Sequence, residues 1–336
     1  PAKGQIATQG KPISMRQMMR SVTKLLETRY ENRNKNAITG APTGFQKLDA
    51  LTQGYQPGEL VIIAARPSMG KTQLALCLAD SMSRQGIQTG IFSLEMSKTQ
   101  LSNRHLSLRS GVSTTQMRDG TLTAAELNRL DEAFGSLLAE SASPIVDDLS
   151  DVTLMQIRSR ARKMVRKHGC RAIFVDYLQL LTSPEHSRES RQVEVAAISR
   201  GLKALARELN VPVVCLSQLN RDVEGRRDLR PRMSDLRESG AIEQDADVIL
   251  LLHREAYYHL GDQEWIAANP EKMNLAEVIV AKQRNGPTDT VKLSFFPHTL
   301  RFVDRDESNP APAKPAAVEN LYGVFPADDS RAPIPV

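Results

Sequence analysis

Long apolar runs are missing from this chain of 336 residues. None approaches the roughly 20 residues that a membrane helix requires, and the first residues carry no apolar signal core, so a membrane partner is set aside. Cysteine is scarce: Cys77, Cys170 and Cys215 lie far apart, without CxxC spacing, each in or beside an apolar segment. That pattern excludes a disulfide framework or a cysteine metal site and predicts buried, reduced thiols in a reducing cytosol. Aromatic residues make up only 4% of the chain, which limits ring stacking as a means of gripping a ligand. Neither sign of charge dominates. Lys and Arg number 44 against 39 Asp and Glu, for a net charge of +5 and a pI near 9.1. This balance fits a polyanionic partner without specifying one. Internal repeats are absent as well. What remains is an ordinary globular composition, 40% hydrophobic and 25% charged, long enough for one large α/β domain with appendages or two modest domains. The chain opens on Pro1 rather than Met, so a processed chain or a fragment is expected.

Three segments follow from the patterning. Residues 1–37 hold a small, polar start, expected to be disordered, and then a helix from Ser14 to about Tyr30. Its stripe is Met15, Met18, Val22, Leu25 and Leu26, opened by a Ser14/Gln17 capping box and followed by a polar linker, Glu31 to Asn36. Such a short amphipathic helix must bury its stripe against its own core or a neighbouring subunit, and the residues alone favour neither. Residues 38–305 alternate apolar strands with amphipathic helices. Strands are expected at 59–65, 88–94, 144–146, 171–175, 211–216, 247–252, 276–281, 289–294 and 299–303. Helices are expected at 70–84, 97–110, 123–140, 152–168 and 191–209, with Thr123 and Glu126 as a cap and Gly169 and Asn210 as stops. The fold class is therefore α/β, a mostly parallel central sheet with helices on both faces and antiparallel strands added at one edge. The basic run from Arg158 to Lys167 reads as the solvated face of its helix. Residues 306–336 contain six prolines among Ala, Asp and Ser and read as a disordered tail, broken by an apolar island of Leu321, Tyr322, Val324 and Phe325.

The chemistry concentrates at strand ends. Ala65-Arg66-Pro67-Ser68-Met69-Gly70-Lys71-Thr72 follows a strand and opens a helix, the context in which backbone N–H groups and a helix N-terminus converge on phosphate. A chance Gly-Lys-Thr in a loop would explain neither flank. Ser68, Met69, Gly70, Lys71, Thr72 and Gln73 are the expected ATP-binding residues, with Lys71 on the β- and γ-phosphates and the Thr72 hydroxyl on Mg²⁺. The strict motif begins with Gly where this chain has Ala65, which is tolerated if the φ of Ala65 is negative. Asp176, after Ile173-Phe174-Val175, is placed to hold the hydrated Mg²⁺ at the carboxyl edge of the sheet. Glu95 and Gln218 close two further strands and are candidates to orient and deprotonate water and to sense the γ-phosphate. Taken singly, each could instead be a helix-start carboxylate or a satisfied loop amide.

The runs ARPSMGKT, FSLEM, FVDYLQLL, LSQLNR, SDLRESGAIEQDADVI and AKQRNG, in this order, resemble the DnaB-type replicative helicases over about Ile38 to Val303. The resemblance implies a RecA-like P-loop fold, a homo-hexameric ring and ATP sites shared between neighbours. It implies Lys71 and Thr72 on ATP–Mg²⁺, Glu95 as catalytic base, Asp176 as the Walker B acid and Gln218 as γ-phosphate contact. Lys282 and Arg284 look like the pair that reaches the next subunit's ATP, and Arg237, Glu238 and Gly240 like the loop that holds one DNA strand by its backbone. Between Leu219 and Gly240 six arginines face five acids and no aromatic, so contacts would go to phosphates rather than stacked bases. A DNA-dependent ATPase that unwinds duplex 5′→3′, a polarity drawn from the resemblance alone, is thus expected. Single-stranded DNA is the partner, with a primase and a helicase loader as further candidates and the cytoplasm as the location. A RecA-like recombinase or filament protein is the alternative, and a P-loop assembly switch a third. The family usually carries a separate helical N-terminal domain, joined to the motor by a linker helix. Only the helix at Ser14–Tyr30 precedes the motor, which in the family packs on the adjacent subunit.

Overall fold

The computed structural model describes residues 14–32, 38–150, 152–183, 190–226, 228–236 and 240–305. Helices α1 (Met15–Asn32) and α2 (Gln46–Thr52) lead to strand β1 (Leu60–Ala65) and helix α3 (Lys71–Arg84). Next come β2 (Thr89–Ser93), α4 (Lys98–Ser110), α5 (Thr114–Asp119), α6 (Ala124–Ala139), β3 (Ile145–Asp148) and α7 (Leu154–His168). Then follow β4 (Ala172–Asp176), α8 (Arg191–Leu209), β5 (Val213–Gln218), α9 (Gly240–Asp245) and β6 (Val248–His253). The chain closes with α10 (Glu255–Tyr258), α11 (Gln263–Ala268), β7 (Leu275–Gln283), β8 (Thr290–Phe296) and β9 (Arg301–Asp304).

All nine strands join one sheet in the order β3-β2-β4-β5-β1-β6-β7-β8-β9. The first six run parallel, and β7, β8 and β9 add antiparallel at one side. Apolar runs without alternation produce this arrangement, because a parallel strand is covered on both faces. In β1, Val61, Ile63 and Ala65 enter one core, shared with α3, while Leu60, Ile62 and Ala64 enter the other, shared with α7 and α8. Burying each large aliphatic side chain here contributes about 1.5–3 kcal/mol relative to exposure.

Local signals end the helices where the sequence implies. Ser14 and Gln17 hydrogen bond reciprocally at the start of α1, and Thr123 with Glu126 forms the box that opens α6. Gly169 and Asn210 are left-handed C-caps, with φ of 69° and 53°. Met15, Met18, Val22 and Leu26 of the α1 stripe are exposed, so among the described residues the chain's own core does not cover them. Cys77, Cys170 and Cys215 are free and buried, as expected. The basic face of α7 differs from expectation. It is not simply solvated, because Arg158 and Arg162 both bind Glu208 of α8, at 3.1 and 2.5 Å, and Arg160 pairs with Asp147 at 2.9 Å. Two guanidinium groups hold the Glu208 carboxyl at about 2. No helix among the described residues is long and apolar enough to cross a membrane.

Candidate nucleotide-binding site

The carboxyl end of β1 delivers the loop. Ala65 is the last strand residue, is buried, and is not among the positions with positive φ, so nothing there calls for glycine. Two later positions are left-handed: Ser68, with φ of 64°, and Gly70, with φ of 98°. Successive N–H groups in such a turn point inward and form an anion-binding concavity. Gly70 is required on two counts, because a Cβ would lie 3.1 Å from the Phe302 ring as well as straining the backbone. Gly70 is also the N-cap of α3 and brings no side chain to cap it. The first N–H groups of the helix are therefore left for an anion.

Lys71, Thr72, Asp176 and Glu95 come together in front of this loop. The Thr72 hydroxyl donates to Asp176 Oδ2 at 2.6 Å, and Lys71 Nζ lies 4.0 Å from Oδ1. Both ion-pair partners are nearly buried, at 12% and 6% side-chain exposure. Burial pulls the Lys71 ammonium below its ordinary pKa, and Asp176 and Glu95 pull back. Burial likewise raises the Asp176 carboxyl, against the opposing influence of Lys71, Thr72 and Arg104. Asp176 Oδ1 is buried without a hydrogen-bond partner. A hydroxyl and an under-satisfied carboxylate are hard oxygen donors and fit Mg²⁺, which binds through few protein ligands together with phosphate oxygens. No cluster of three or more His, Cys, Asp or Glu side chains that could hold a metal unaided occurs among the described residues.

Gln218 ends β5 beside Ala65, its register partner, and is exposed. Its N–H donates to Gln179 Oε1 at 3.2 Å, while Gln179 Nε2 donates to Ser217 Oγ at 2.9 Å. Gln179 therefore fixes the backbone and leaves the Gln218 amide facing out. Gln73 is different. Its side chain is 1% exposed and neither amide atom has a hydrogen-bond partner among the described residues, so only its backbone can serve a phosphate. Met69 is also buried.

Lys282 and Arg284 stand apart from this cluster. In the antiparallel register Ile249 faces Lys282, which places the pair at the amino edge of the parallel strands. The two ends of β1 are about 17 Å apart at 3.3 Å per residue. Lys282 Nζ donates to the carbonyls of Glu243 and Ala246 at 2.5 and 2.7 Å. Arg284 Nη2 donates to the Gln244 carbonyl at 2.5 Å, and Nη1 lies 3.6 Å from Asp247 Oδ1. Both cations thus sit on the last carbonyls of α9, where the helix dipole favours positive charge. Gly240 opens α9, with nothing within 4 Å of where a Cβ would stand. Arg237 and Glu238 lie outside the described residues.

Sequence reasoning misses three side chains of the site. Arg104, two turns into α4, is half-buried, and Asp176 and Glu95 oppose the fall that burial imposes on its pKa. Tyr177 places its ring 4.1 Å from Lys71 Nζ. Arg66 binds Glu224 at 2.6 Å. Arg104 carries only one signal in the sequence, its spacing of three from the buried Leu101 on the core-facing side of α4.

Comparison with known proteins agrees with this geometry. Residues 40–304 match the family described as DnaB-like helicase C terminal domain. The chain is 44% identical over 291 residues to the replicative DNA helicase DnaB of Geobacillus stearothermophilus, covering 85% of this chain and 62% of the relative. It is 43% identical over 290 residues to the replicative DNA helicase DnaC of Bacillus subtilis, covering 84% and 62%. Among solved structures, the ATPase domain of G40P superposes with a TM-score of 0.79 at 37% identity, covering 88% of this chain and all of that one. A DnaB-like replicative helicase, solved in a study of its interactions with primase, gives 0.76 at 36% identity, covering 89% and 68%. The chain spans 62% of the length of the two curated relatives. With a matching family, matching fold and a phosphate loop set against Thr72 and Asp176, the chain belongs to the DnaB-like helicase C-terminal domain family.

Proposed function

We propose that this chain is the ATP-hydrolysing motor of a replicative DNA helicase, moving along single-stranded DNA as part of a ring of identical subunits. Residues 38–305 form the motor, with a linker helix ahead of it in 1–37 and a tail in 306–336. The observation that carries the reading is the juxtaposition of Lys71, Thr72 and the under-satisfied Asp176 carboxylate beneath an open helix N-terminus.

Lys71 and the N–H groups from Ser68 to Gln73 hold the triphosphate. Thr72 and Asp176 hold Mg²⁺, which when bound neutralises charge on the phosphate oxygens. Glu95, exposed in the loop after β2, takes the proton of the attacking water. Gln218 reads the γ-phosphate through the amide that Gln179 leaves free. Lys282 and Arg284 are too far from their own Lys71 to act on the same nucleotide, which supports a role across a subunit boundary. There a cation lent by one copy stabilises the transition state in the next. Six copies close such a head-to-tail contact into the proposed hexamer. DNA is held by its phosphates through the Arg237 guanidinium and the backbone N–H groups of Glu238 and Gly240, giving contacts that ignore sequence and weaken with salt. Primase and a loader are proposed partners, and the buried reduced thiols fit the cytoplasm. The helicases among the relatives lend nothing to the recombinase alternative.

The test is hydrolysis of ATP with and without single-stranded DNA. Wild type is expected to be stimulated by DNA, and Lys71→Ala to lose at least about 100-fold in kcat. Equal turnover by the two proteins overturns the assignment.

A further inference from the structure

The phosphate loop is tied to the segment after β5 by a side chain that the hydrolytic chemistry leaves unused. Arg66 follows β1 directly and is 8% exposed. Its Nε and Nη2 donate to Glu224 Oε1 at 2.9 and 2.6 Å, and its Nη1 donates to the Leu219 carbonyl at 2.8 Å. The Leu219 N–H returns a bond to the Ala65 carbonyl at 3.0 Å. Loop and segment are therefore joined by backbone and side chain at one point.

From Glu224 the connections continue. Glu224 lies in a 3₁₀ turn, Arg221–Gly225, and the following Arg226 binds the buried Asp235 carboxylate. Asp235 also accepts the Arg232 N–H at 2.6 Å, and its carbonyl accepts the Asn220 N–H at 3.1 Å. Tyr258 lies beside the same groups. Burial raises its phenol pKa, Glu224 adds to the rise, and Arg66 and Arg226 oppose it. The two arginines and Glu224 thus belong to one polar cluster, which reaches from the end of β1 to within five residues of α9.

We propose that Arg66 is a positioning residue that couples the phosphate loop, through Glu224, to the 219–236 segment and so to the DNA-contacting start of α9. The inference rests on the reading that residues around Gly240 meet single-stranded DNA. A guanidinium fork held by a carboxylate and a carbonyl is a stiff link, so a shift of the loop on nucleotide binding displaces the segment rather than being absorbed. Linkage requires the converse: DNA and nucleotide change each other's affinity by the same factor.

The experiment compares wild type, Glu224→Ala and Glu224→Gln. Glu224 is 49% exposed, outside the hydrolytic machinery, and its removal leaves Arg66 the Leu219 carbonyl. The affinity for a non-hydrolysable ATP analogue is measured with and without poly(dT), together with ATPase in both conditions. In wild type, poly(dT) is expected to tighten analogue binding. In Glu224→Ala that factor falls by at least about fivefold, while DNA-free ATPase and poly(dT) affinity stay at wild-type values. Glu224→Gln keeps Oε1 as an acceptor for both Arg66 donors and retains the coupling. Wild-type coupling in Glu224→Ala, or equal loss in both variants, overturns the inference. Absence of poly(dT) binding by wild type overturns the DNA reading and the inference with it, whereas binding without coupling overturns the inference alone.

Discussion

The two edges of the parallel sheet differ in how completely their charges are satisfied. At the carboxyl edge Asp176 leaves one buried oxygen without a hydrogen bond, Lys71 has burial acting against its charge, and α3 starts without a side-chain cap. At the amino edge Asp247 accepts the Leu60 N–H at 2.7 Å and the Lys203 ammonium at 2.6 Å. Lys282 and Arg284 rest there on helix carbonyls. The first edge is incomplete in a way that a phosphate and a cation would complete, whereas at the second the Asp247 carboxylate is matched within one chain. A site for an external ligand shows itself as polarity that the fold leaves unmatched. Lys282 is matched to carbonyls, and Arg284 to a carbonyl and, at 3.6 Å, to Asp247, partners that a phosphate of an adjoining copy can replace.

Three substitutions sharpen this contrast. The largest effect is expected from Glu95→Gln, with kcat lower by about 10²- to 10⁴-fold and ATP affinity kept, checked by steady-state hydrolysis and nucleotide binding. Next comes Asp247→Ala. Removing the carboxylate that joins β1, α8 and Arg284 is expected to destabilise by about 3 kcal/mol, which lowers Tm by about 6–12 °C on a domain of this size. A melt that matches wild type would show that the amino edge is not the structural anchor described.

The smallest effect has the opposite sign. Burial is the main cause acting on Asp176 and raises its carboxyl above the ordinary 3.8. The folded chain therefore binds that proton more readily than the unfolded chain. Its ionisation costs stability above the raised pKa, and the cost is relieved as pH falls toward 3.8. Asp176→Asn removes the cost while keeping an acceptor for Thr72, so Tm of the ligand-free protein at neutral pH is expected to rise by about 2–4 °C. Turnover is lost at the same time, a trade between stability and activity expected at a working site. A lower Tm in Asp176→Asn would contradict the account of this edge.

Much of this arrangement is legible in the residues. β1, the loop and α3 can be read because an unalternating apolar run followed by Gly-Lys-Thr permits few structures. Ala65 in place of the motif's glycine is explained once its strand conformation is seen. The short helices are harder. α5 and α11 bury no residue, and α9 only Ile242, so no apolar period announces them. Asp247 and Arg66 are also opaque, since their roles depend on partners 187 and 158 residues away along the chain. Lys282 and Arg284 read locally as a strand-end cluster, and the contact with α9 depends on the antiparallel register of β7.

The claim that one copy completes the site of the next is tested most directly by mixing. Lys71→Ala chains lack the phosphate grip, and Arg284→Ala chains lack the lent cation, so each alone is expected to be inactive. In mixed assemblies some boundaries pair an intact Lys71 with an intact Arg284, and ATPase is expected to return, rising and falling with the ratio. No recovery at any ratio, in assemblies shown to contain both chains, would contradict the account.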